Sequence, residues 1–241
     1  MGTRPLFFQA EYGSSNMTSQ ITNNIKKTRD FRAFKKGGVP MNPLNTIKGT
    51  LIAGLVISIV IAAITMGNVL STHGAVIIWT HVLAGVAWIG LLYYFNFVQV
   101  PALAEAAADQ GGPGGAGISK YVAPRALLWF RWGALLTWVS GAAFLMINSD
   151  LIGAFALGLL DDPVNGYQLT IGIGAWMGTV MLFNVWILIW PNQKKVLGMV
   201  EATADEINRG KRVAFLASRT NTMLSIPMMM SMVGAHHGFF M

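Results

Sequence analysis

The sequence contains no cysteine. That excludes disulfides, thiolate metal centres, a cysteine nucleophile and a CxxCH attachment of c-type heme within this chain. Charge is also scarce. Only 11% of the residues are charged, against about 25% in a soluble domain. Neither a phosphate-binding loop nor a Ser–His–Asp hydrolase constellation can be assembled from what remains. What is abundant is apolar: 54% of residues are hydrophobic and the mean hydropathy is +0.52. Apolar runs near the roughly 20 residues needed to cross a bilayer make this an all-α integral membrane protein. The formal net charge of +7 fits membrane topology better than nucleic-acid binding.

Residues 1–45 are polar and basic and read as a disordered cytoplasmic arm, with 46–241 as the membrane domain. No long apolar run follows the first methionine, so the arm is not a signal peptide. Met41 opens MNPLNTIKG just before the first span and is an alternative start. About five spans are expected, near 51–70, 77–100, 126–147, 169–190 and 213–233. Loop 101–125 is rich in Ala and Gly and reads as flexible. Loop 191–212 is basic and is expected to hold a short surface helix near 195–208. The turns at 71–76 and 148–168 contain no Lys or Arg, so all 17 basic residues fall toward one side. By the positive-inside rule the N-terminus is cytoplasmic and the C-terminus lies outside.

The pattern AWxGxxxxFN occurs twice, from Ala87 to Asn96 and from Ala175 to Asn184. The same offset of 88 residues carries Arg131 onto Arg219. Spans 2–3 and 4–5 therefore read as two parallel repeated hairpins about an axis along the membrane normal. The repeat breaks at the histidines, since His81 corresponds to Leu169 and His73 to Asp161.

Four histidines are present: His73, His81, His236 and His237. The topology gathers all four in the outer membrane half. Neutral imidazole ligates heme iron or other metals, and two histidines from different helices suit a b-type heme. On one helix His73 and His81 lie about 12 Å apart along the axis and roughly 80° apart around it. The competing reading is interfacial histidine bonded to backbone carbonyls or water. Arg131 and Arg219 lie inside the cytoplasmic ends of their spans, where they either snorkel or pair with Asn96, Asn184 or an acidic group. Asn96 and Asn184 suit interhelical hydrogen bonds. Trp88 follows His81 by seven residues, either walling a porphyrin pocket or simply packing. Gly174 and Gly178 form a GxxxG contact motif, and Met228, Met229, Met230 and Met232 read as packing beyond a kink at Pro227.

Three stretches, HVLAGVAWIGLLYYFNFVQVP, FNVWILIWPNQKKVLG and SRTNTMLSIPMMMSMVG, resemble the urate oxidase N-terminal family, the membrane domain of bacterial urate hydroxylases. The resemblance spans roughly residues 73–237. It implies a redox role in the bacterial cytoplasmic membrane, with electrons passed to a c-type cytochrome. This chain has no cytochrome segment of its own, so a separate cytochrome or respiratory-complex partner is expected, and an oligomer is compatible with the sequence. His81 lies within the matching motif. Two other functions are compatible with the residues: a non-catalytic anchor or scaffold subunit of a larger complex, and a small transporter built on the repeats.

Overall fold

The computed structural model describes residues 42–65, 73–148 and 150–238. Nearly all of the expected basic arm, and the end of the first expected span, lie outside these residues. Every regular element among the described residues is helical. The chain divides into two units, 1–69 and 70–241. The first contributes a single turn at Pro43–Asn45, capped by the Asn42 side chain, and helix α1 (Ile47–Thr65). At 1.5 Å per residue, these 19 mostly apolar residues extend about 28 Å, close to the hydrocarbon thickness of a bilayer.

The second unit is a helical bundle. Its long helices are α2 (His73–Ala108), α3 (Ile118–Ile147) and α5 (Gly166–Val196), followed by α6 (Ala204–His237). A short α4 (Leu151–Phe155) fills the connection between α3 and α5. Among the described residues four helices, α1, α2, α3 and α5, are long and apolar enough to cross a membrane, which fits a membrane protein. The fifth expected span corresponds to α6. That helix has ample length at 34 residues, but carries Arg209, Lys211, Arg212 and Arg219 among several Asn, Ser and Thr.

Two sequence expectations change. The linker expected over 101–125 is mostly helical, because α2 continues through Pro101 to Ala108 and α3 begins at Ile118. A proline inside a helix lacks an N–H, and its ring crowds the carbonyl four residues back. Here a π-helical segment, Phe95–Gln99, ends two residues before Pro101, and its wider turn shifts that register. Helix α5 repeats the solution: a π-helical segment at Asn184–Ile189 precedes Pro191, and the helix runs on to Val196. The second change concerns 195–208, which is no separate surface helix. Helix α5 ends where Gly198 takes φ +66° and the N–H of Met199 returns to the carbonyl of Lys194 at 2.8 Å. Helix α6 then starts on a reciprocal cap, with Thr203 accepting from the Glu206 N–H and Glu206 from the Thr203 N–H.

Packing explains how the bundle holds. Helices α2 and α3 approach closely through small residues: a Cβ added at Gly133 would lie 3.4 Å from the backbone nitrogen of Trp88. Trp88, Leu92, Phe130 and Met181 fill the centre and are almost completely buried. Phe95 meets Phe130 edge to face at 5.4 Å. Lipid gives apolar surfaces no reason to associate, so hydrogen bonds between helices matter for orientation. Tyr93 bonds Ser225 at 2.9 Å, and the Asn96 amide donates to Ser218 at 2.8 Å. Trp138 donates to Thr179, and Asn184 to Asn221, each at 2.8 Å.

Candidate functional site

The unrepeated histidine of α2 sits at a built position. His81 lies two turns inside the helix and is half-buried. Its Nδ1 is 2.8 Å from the carbonyl oxygen of Thr137 on α3. A carbonyl can only accept, so Nδ1 carries the hydrogen and a neutral ring keeps its lone pair on Nε2. Gly141, one turn beyond Thr137, makes room for the ring: a Cβ there would stand 2.9 Å from both Cε1 and Nδ1. Sequence and packing thus fix the tautomer and the place of the imidazole.

This imidazole lines a cavity of about 370 Å³. The same cavity is lined by His236 and His237 from the far end of α6, by Tyr167 from α5, and by Trp88 and Trp138. The structure therefore brings three of the four histidines to one cavity. His236 is exposed, and its ring meets Tyr167 edge to face at 5.5 Å. His73 is exposed at the start of α2 and does not line the cavity. The walls are otherwise apolar, and two features leave the site unfinished. The indole N–H of Trp88 is buried without a partner. Gly178 lines the cavity with open space where a Cβ would be, whereas Gly174, the other half of its motif, packs against Ser231 and Met232.

The remaining expected site residues lie elsewhere. Arg131 stacks its guanidinium on Trp190, 3.7 Å from the ring centroid, and Arg219 lies 5.3 Å from the Phe215 centroid. Asn96 donates to the Leu92 carbonyl and to Ser218, and Asn184 to Asn221. Neither arginine is hydrogen-bonded to either asparagine among the described residues. Tyr167, Trp138, Thr137 and Gly141 were not singled out by the sequence. Only tertiary packing brings them to His81, and no spacing within one helix signals it.

Among the described residues, fold and site together define an all-helical arrangement with membrane-length helices and a histidine-lined cavity at one end of the bundle. The urate oxidase N-terminal family profile matches residues 67–165 and 163–241. The chain belongs to that family. No curated protein and no solved structure matches it.

Proposed function

We propose that this chain is a redox protein of the bacterial cytoplasmic membrane that holds a b-type heme in the histidine-lined cavity and serves urate-type oxidation or the electron transfer that accompanies it. One observation carries the reading: His81 from α2 and the His236–His237 pair from α6 line one cavity, with the His81 lone pair left on Nε2 by its bond to Thr137. The donor set suits heme better than a bare metal ion. Among the described residues no three His, Asp or Glu side chains gather as a metal site. A porphyrin brings its own nitrogen ligands and asks the protein for only one or two more.

His81 would act as one ligand and His236 or His237 as the other. Thr137 holds the His81 ring in orientation, a role that hydrogen-bonded carbonyls play for ligating histidines generally. The apolar walls would exclude water, and the unpartnered Trp88 N–H would offer a donor to the bound group. When bound, heme supplies a one-electron centre. The cavity end carries the connection 148–165, which has no Lys or Arg, while Arg125, Lys194, Lys195, Lys211 and Arg212 lie at the opposite end. That asymmetry supports a cytoplasmic N-terminus and an outer C-terminus, with α6 as a fifth span. A separate c-type cytochrome would then meet the protein on the outer side. The two π-helical segments, each at its FN pair and each followed by proline, support a parallel duplication of the hairpins.

The test is an absorption spectrum of the detergent-purified protein, oxidised and reduced. A Soret band with sharp reduced α and β bands is expected. His81→Ala should abolish it, replacing His236 or His237 should alter it, and His73→Ala should leave it intact. Purified protein without a Soret band would sink the reading.

A further inference from the structure

Arg131 is a charge within an apolar stretch of α3. Counting the roughly 20 residues that cross a bilayer core back from Ile147, the end of that helix, places Arg131 just inside the far boundary. A charge inside that boundary calls for a partner. Its guanidinium lies 3.7 Å from the centroid of Trp190 on α5. The ammonium of Lys194, one turn further along α5, lies 5.8 Å from the same ring. One indole thus gathers two cations from two helices. The one ion pair among the described residues joins Lys195 to Glu206, so no described carboxylate neutralises Arg131 or Lys194. Two like charges around one ring repel, and a shared anion relieves that repulsion.

The surroundings indicate which anion. Trp129, Trp132 and Leu136 of α3 and Ile187 of α5 are exposed, as lipid-facing side chains are. Trp132 meets Trp186 edge to face at 5.5 Å, which joins α3 to α5 one residue from Arg131 and one turn from Trp190. The two cations therefore border an apolar outer surface rather than open solvent alone. The arrangement is also unrepeated. The 88-residue offset carries Arg131 onto Arg219, but counted back from Trp190 and Lys194 it reaches Ala102 and Ala106. Exposed Arg219 instead lies 5.3 Å from the Phe215 centroid of its own helix.

We propose that Arg131, Trp190 and Lys194 form a headgroup site for an anionic phospholipid in the leaflet at the basic end of the bundle. The two cations receive its phosphodiester, and its acyl chains lie along the exposed apolar surface of α3 and α5. A guanidinium matches phosphate oxygens in geometry as well as charge, and basic pockets between membrane helices suit such headgroups. The site is separate from the histidine cavity, and its occupancy does not depend on a heme being bound there.

Native mass spectrometry of the detergent-purified full chain, titrated with phosphatidylglycerol or phosphatidylcholine, tests this. The first phosphatidylglycerol should bind about 25-fold more tightly than phosphatidylcholine, about fivefold for each cation. Arg131→Gln or Lys194→Gln should each reduce the ratio to about fivefold, and both together to about one. Arg219→Gln should leave it unchanged. Should Arg131→Gln not fold, Lys194→Gln decides alone against the Arg219→Gln control. A ratio unmoved by Lys194→Gln, or lowered as much by Arg219→Gln, overturns the proposal. So does displacement of the bound lipid by an equal concentration of glycerophosphoglycerol, the same headgroup without acyl chains, which would assign the site to a soluble phosphate ester.

Discussion

Replacing Gly141 by alanine tests whether His81 is held where the cavity needs it. The new methyl carbon would lie 2.9 Å from two atoms of the imidazole, well inside contact distance, so the ring must turn. Turning it breaks the 2.8 Å bond to Thr137. Overpacking of this kind costs about 1–3 kcal/mol, and a lost hydrogen bond about 0.5–1.5 kcal/mol. Against this, alanine favours a helix over glycine by about 1 kcal/mol. The net expectation is a loss of about 1–3 kcal/mol, read as a lower thermal midpoint of the detergent-solubilised protein, about 2–4 °C per kcal/mol for a chain of this size. The decisive comparison is the same change in a His81→Ala background. With no ring to displace, Gly141→Ala should there be neutral or stabilising, giving a coupling of about 1–3 kcal/mol between the two positions. Strict additivity would refute the reasoning, because the ring would then not be what the methyl group meets.

Two further outcomes are expected from other parts of the bundle. Asn221 is fully buried, accepts from Asn184 and donates to the Met181 carbonyl; Asn221→Leu leaves the buried Asn184 amide without its acceptor, while the Met181 carbonyl keeps the backbone N–H of Asn184, and should cost about 1–3 kcal/mol, measured by thermal melting. Glu206 accepts from the Thr203 N–H and from Lys195, which hold its carboxyl down from 4.5 to about 2. A depressed carboxylate stabilises the fold above its unfolded pKa and loses that contribution as pH falls through the folded one. Melting points should therefore fall between about pH 4.5 and 2 in the native chain, and Glu206→Gln should remove that part of the decline.

The apolar runs made the long helices legible, because in lipid no other backbone arrangement satisfies its own polar groups. The placement of lysine and arginine distinguishes the two ends of the bundle, and the unrepeated His81 lines one cavity with His236 and His237. What the residues did not disclose was how far helices run. Spans expected to end at 100 and 190 run on through Pro101 and Pro191, since a widened turn precedes each proline. Partners across helices were equally hidden. Nothing in the order of residues says that Arg131 will stack on Trp190 or that Gly141 clears space for His81. His73 illustrates the converse: at roughly 80° from His81 around the helix, it was grouped with His81 by its end of the span, yet it does not line the cavity.

The paired wide turns at Phe95–Gln99 and Asn184–Ile189 bear on how such a chain can change over generations. A π-helical turn contains one residue more than the α-helix around it needs. Loss of a single codon there can be absorbed by tightening the turn, so the flanking stretches keep facing their old neighbours. Elsewhere in these helices the same deletion would rotate everything beyond it by about 100° and separate buried side chains from their partners. The two wide turns are thus the places where these helices can alter length by one residue and still assemble, and in α2 that place carries Asn96 and Gln99.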